Sequence, residues 1–109
     1  MIKVTVYRRS ADQTLKGLRI HGHAGYAEYG SDIICAGVSA LATNLVNSIE
    51  AFTKDEIVTH VDEEIGLLEF KFRHIPSHDA ILLTDACILG IETIQKENAE
   101  YIRLIFKEV

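Results

Sequence analysis

Six apolar residues, Ile34, Val38, Leu41, Leu45, Ile49 and Phe52, step by 4, 3, 4, 4 and 3 along the chain. Only an α-helix gathers such a set on one continuous face. The spacing predicts a helix from Ser31 or Asp32 to Phe52, and its apolar face needs a partner layer to cover it.

The flanking segments supply that layer. Ile2, Val4 and Val6 alternate with Lys3, Thr5 and Tyr7, the period of a half-buried strand over residues 2–7. After a turn near Asp12, a second strand over 15–22 puts Leu18 and Ile20 on one face. A hairpin follows the helix, with strands over 57–61 and 67–72 and Gly66 in its turn. Leu68, Phe70 and Phe72 share a face there, while Glu69 and Lys71 point away. A second helix begins after Pro76, with Ser77 as its N-cap, and runs to Glu97. The last strand, over 101–106, turns Ile102, Leu104 and Phe106 inward. The expected fold is α+β and two-layered, order ββαββαβ, with both helices on one face of a mainly antiparallel five-stranded sheet. No linker or repeat divides the 109 residues, so a single domain over 1–109 is expected.

Composition narrows the function classes. No apolar run approaches the roughly 18 residues needed to span a membrane. The start, MIKVTVYRRS, lacks the features of a signal peptide. A cytoplasmic protein without membrane association is expected. Its two cysteines, Cys35 and Cys87, are then expected as free thiols. With 11 basic against 16 acidic residues the net charge is −5, which argues against a nucleic-acid partner. The charge suits a basic protein substrate, although plain solubility is the commoner reason for it.

The segment GHAGYAEYGSDIICAGVS, residues 22–39, carries the candidate chemistry. Cys35 falls in the first turn of the predicted helix. There the macrodipole and unpaired N–H groups lower a thiol pKa, and the same N–H groups could bind an oxyanion. His23 ends the second strand, and the 11 intervening residues can close so that imidazole and thiol meet. Strict alternation would turn His23 away from the helices, and Gly22 is the residue able to break it. Asp32, Cys35 and Ser39 are spaced i, i+3, i+7 on one helical stripe. Asp32 could orient His23 or cap the helix. Ser39 could hydrogen-bond beside the thiol or simply pack as a small residue. Gly25 and Gly30 bracket Tyr26 and Tyr29, a pattern that fits a lid over substrate and equally an ordinary surface loop.

The remaining candidates have simpler readings. Cys87 sits mid-helix among apolar residues as a buried, inert thiol. His60, His74 and His78 are expected at the surface. His21 and His23 with Cys35 lack the spacing of a zinc site, so no metal or cofactor is expected.

At residues 22–39 the chain resembles the ribosomal-processing cysteine proteases of the Prp family. Their signature is Gly-His-Ala, a variable loop, then Asp, two aliphatic residues, Cys, Ala, a variable residue, a small or aliphatic residue and Ser. Gly22-His23-Ala24 and Asp32-Ile33-Ile34-Cys35-Ala36-Gly37-Val38-Ser39 fill it. The likeness extends over the whole chain, down to the closing Tyr101-Ile102-Arg103-Leu104. It implies a catalytic pair at His23 and Cys35, supported by Asp32 and Ser39, with Gly22 allowing loop movement. It also implies a homodimer and a substrate. Family members remove a short N-terminal extension from large-subunit ribosomal protein number twenty-seven, after a hydrophobic, phenylalanine-containing stretch that Tyr26 and Tyr29 would suit. The competing reading is a non-catalytic ribosome-assembly factor that binds a basic ribosomal protein. Such a module has no reason to keep His23 and Cys35 together.

Overall fold

The computed structural model describes residues 1–25 and 32–109. The elements follow in the order β1 (Ile2–Arg8), β2 (Leu15–His21), α1 (Ile33–Phe52), β3 (Ile57–Asp62), β4 (Leu67–Phe72), α2 (His78–Glu97) and β5 (Ile102–Glu108). The strands form one sheet ordered β3-β4-β2-β1-β5. Every neighbouring pair is antiparallel except β1 with β5, which is parallel. The fold is α+β, as the periodicities predict.

The topology puts both helices on the same face. The β2–α1–β3 and β4–α2–β5 crossovers each join parallel strands, and such crossovers are right-handed. They start from antiparallel strands and step in opposite directions across the sheet, so the two reversals cancel. One apolar cluster accordingly joins sheet and helices: Val4, Leu18 and Phe70 from the central strands, Val38, Leu45 and Ile49 from α1, Ile88 and Ile91 from α2. Phe70 meets Phe72 edge-on, with ring centroids 5.4 Å apart. The opposite face carries Lys3, Thr5, Tyr7, Arg19, Glu69 and Lys71, in register with one another.

Three expectations need correction. Phe52 is 76% exposed and Phe106 61% exposed, although both fit the inward period. Periodicity fixes the face of an element but not how far its partner layer extends. Phe52 lies in the last turn of α1, and Phe106 lies on the edge strand β5. Third, α1 is long and apolar enough to cross a membrane by length and composition. Here it is a core helix, with Ile34, Val38, Ala42, Leu45, Ser48 and Ile49 buried against the sheet and α2.

Candidate active site

The site forms where the end of β2 meets the start of α1. Asp32 sets that start. Its backbone is extended, and Oδ1 accepts from the N–H groups of Ile34 and Cys35 at 3.0 Å each. This is N-capping, which satisfies two donors that a helix start leaves orphaned. Asp32 is only 6% exposed. Of the two roles its position allows, the cap is therefore one the structure displays. The next N–H, of Ala36, bonds the Asp32 carbonyl at 3.0 Å. The N–H groups of Ile34, Cys35 and Ala36 are thus engaged by Asp32.

Gly22 resolves the orientation of His23. β2 ends at His21, whose partner Lys3 lies on the outer face. Gly22 then adopts φ +96°, and a Cβ at this position would lie 2.5 Å from the Met1 carbonyl. A side chain fits neither the angle nor the space. The alternation breaks there, and His23 turns into the cleft that Cys35 also lines. The Met1 nitrogen donates to the His23 carbonyl at 2.6 Å, holding the backbone in that course. Ala24, buried, donates its N–H to Cys35 Sγ at 3.1 Å and joins the two segments directly.

The cleft encloses about 290 Å³, near the lower end of small-molecule sites. Gly22, His23, Cys35 and Ser39 all line it. Ser39 sits one turn beyond Cys35 on the rim, exposed to solvent. Ile20, Val38, Val61, Leu67 and Leu68 give the walls an apolar character suited to hydrophobic side chains. Tyr26, Tyr29 and Gly30, with the lid they could form, lie outside the described residues. Gly25 has φ +75°, and a Cβ there would meet nothing within 4 Å.

The β3–β4 hairpin is the part that sequence reasoning missed. Val61, Glu63, Gly66, Leu67 and Leu68 line the cleft opposite α1. Gly66 was legible as a turn glycine, but nothing local connects it to His23. The link is long-range: Leu68 pairs with Ile20, which lays the turn beside Gly22 and His23.

The thiol differs from expectation. Burial pushes the Cys35 pKa above its ordinary value. The Ala24 N–H opposes this, the nearby Asp32 carboxylate reinforces it, and the Met1 ammonium opposes it more weakly. Burial of the thiolate and the neighbouring Asp32 carboxylate thus work against the lowering expected at a helix start. Cys87 is more deeply buried and is pushed up to about 11 by burial. His60, His74 and His78 are exposed. Among the described residues, no three His, Cys, Asp or Glu side chains form a metal set.

A thiol in the first turn of a helix, an imidazole sharing its cleft and apolar walls for a peptide are the parts of a cysteine hydrolase. The chain matches the family model "Cysteine protease Prp" over residues 1–103. It is 32% identical over 108 residues to the ribosomal processing cysteine protease Prp of Bacillus subtilis strain 168, covering 95% of this chain and 96% of that protein. The Staphylococcus aureus ribosomal processing protease Prp in complex with a covalently linked product peptide matches with TM-score 0.91 and 30% identity, over 98% of this chain and 100% of that one. The same Staphylococcus aureus protease in complex with a substrate peptide matches with TM-score 0.86 and 29% identity, over 98% and 100%. The chain belongs to the Prp family of cysteine proteases.

Proposed function

We propose that this protein is an endopeptidase that removes a short N-terminal extension from the precursor of large-subunit ribosomal protein number twenty-seven. It acts during ribosome maturation, in the cytoplasm and as a homodimer, with Cys35 as nucleophile and His23 as general base. The observation that carries this reading is the convergence of Cys35 and His23 on one apolar-walled cleft.

Burial favours the protonated thiol, so the base acts in the reaction itself. His23 takes the Cys35 proton as Sγ attacks the scissile carbonyl. The imidazolium then gives that proton to the leaving amine as the C–N bond breaks. Water, deprotonated by the same imidazole, hydrolyses the thioester and restores the thiol. The Ala24 N–H, already 3.1 Å from Sγ, stabilises negative charge on sulfur as the proton leaves. Asp32 fixes where Cys35 stands, through the helix cap. Ser39 edges the cleft one turn further along.

The test is to incubate the protein with the precursor from its own organism and weigh the products. One cut that releases the extension is expected, with none from the Cys35→Ala protein. An uncut precursor, or equal cutting by Cys35→Ala, overturns the proposal. Sedimentation equilibrium tests the homodimer separately, and a single-chain mass would exclude it.

A further inference from the structure

His23 Nε2 lies 3.2 Å from the carbonyl oxygen of Glu64. A carbonyl oxygen accepts hydrogen bonds and cannot donate, so the nitrogen facing it carries the proton. We infer that the Glu64 carbonyl, presented by the 62–66 turn, is the positioning group for the base. It holds the imidazole as the Nε2–H tautomer, in which Nδ1 is the basic nitrogen that takes the Cys35 proton. The inference rests on the proposed role of His23 and adds which nitrogen acts and what orients it.

The turn is built to present that carbonyl. Asp62 Oδ1 accepts from the Glu64 N–H at 3.1 Å, and the Gly66 N–H bonds the Glu63 carbonyl at 3.2 Å. These local bonds fix the direction of the backbone between them. The turn is also tied to the strand that delivers His23, since the Gly22 N–H donates to the Ile65 carbonyl at 3.2 Å. Gly66, at φ +63°, closes the arrangement. A Cβ there would lie 2.6 Å from the Gly22 oxygen and 3.1 Å from His23 Cε1. The bare backbone at position 66 is therefore a shelf against which the ring rests, and a side chain would push ring and turn apart.

The chemistry follows from the tautomer. Cysteine hydrolysis needs a base whose two nitrogens have different jobs, one facing the nucleophile and one held by an orienting acceptor. When Nδ1 takes the proton, the ring becomes a cation with both nitrogens protonated. Nε2–H stays on the Glu64 carbonyl, whose dipole favours the charged ring. When Nδ1 gives its proton to the leaving amine, the ring returns to the starting tautomer without rotating. Here a backbone carbonyl does the work that a side-chain acceptor does in many such sites.

Long-range ¹H–¹⁵N spectra of ¹⁵N-histidine-labelled protein, with the ring neutral and no substrate, read the tautomer directly. The expected spectrum has an unprotonated Nδ1 and a protonated Nε2. The Asp62→Ala variant removes the acceptor that braces Glu64, at an exposed position where folding should survive. It should shift the ring towards a tautomer mixture and lower kcat about tenfold at unchanged KM, a fraction of what a general base supplies. Asp62→Asn keeps an acceptor oxygen and should restore both. An Nδ1–H or averaged ring in the unmodified protein overturns the inference. So does an Asp62→Ala protein with unchanged kcat, or with a loss confined to KM. Wild-type cleavage by His23→Ala would instead overturn the proposed role of His23, on which the tautomer spectrum does not depend.

Discussion

The two cysteines sit on the two packed helices, and burial raises the pKa of both. Cys87 lies mid-helix in α2, 6% exposed, with its thiol 3.6 Å from the Leu41 carbonyl. Cys35 lies in the first turn of α1, half-buried, with a backbone N–H on its sulfur and an open cleft before it. A perturbed thiol is therefore no mark of reactivity. What separates the two is access, a hydrogen-bond donor on the sulfur, and an imidazole lining the same cleft. Burial at Cys35 favours the thiol over the thiolate, the form that oxidants and alkylating agents attack.

The sharpest break of this comparison is deletion of each thiol in turn. Cys35→Ala should abolish cleavage and leave the thermal transition near that of the unmodified protein. Residual cutting at the normal rate would mean that the wrong thiol has been chosen. Next in size is His23→Ala, expected to cost on the order of 10²–10⁴ in kcat with substrate binding retained. A substrate titration of the double variant His23→Ala, Cys35→Ala checks the binding half of that expectation.

Asp32 sharpens the comparison further, because it acts on Cys35 in two ways. Asp32→Ala removes the cap from the Ile34 and Cys35 N–H groups and should cost about 1 kcal/mol of stability. Asp32→Asn keeps a capping oxygen, so stability should change little. It removes a carboxylate that raises the thiol pKa, so more thiolate should be present at a given pH. Iodoacetamide should then alkylate Cys35 faster in Asp32→Asn than in the unmodified protein. Slower alkylation would reverse the sign of the argument.

Much of this site was legible from residue order, and the illegible parts have a common cause. Alternation in residues 2–7 and the stripe from Ile34 to Ile49 located strands and helix, since each signal is local and periodic. Gly22 marked the break in alternation for the same reason. What could not be read depends on contacts distant in sequence. The turn at Glu64 touches His23 across 41 positions. The exposure of Phe52 and Phe106 depends on where other elements end. The direction of the Cys35 shift depends on burial under segments that the helix-start argument does not include.

The smallest effect concerns Cys87, where the comparison predicts a pH dependence without any change in catalysis. Cys87→Ala should cut the precursor at the normal rate, because the thiol lines a groove between the helices and takes no part in the cleft. Its contribution to stability should nevertheless vary with pH. The thiol has an ordinary value of 9.0 and is held at about 11 in the fold, so the folded state favours the protonated form. That contribution is fully present below pH 9.0, declines as the unfolded chain ionises, and is lost by about pH 11. Near pH 10, one unit above the ordinary value, on the order of 1 kcal/mol of it should be gone. Other groups titrate there too, so the informative quantity is the difference between the two proteins. Urea unfolding of unmodified and Cys87→Ala protein at neutral pH should show the variant less stable, through lost packing. Repeating the pair near pH 10 should narrow or reverse that gap. A gap that stays constant between the two pH values would mean that the Cys87 thiol ionises as easily in the fold as outside it, and that burial does not hold it protonated.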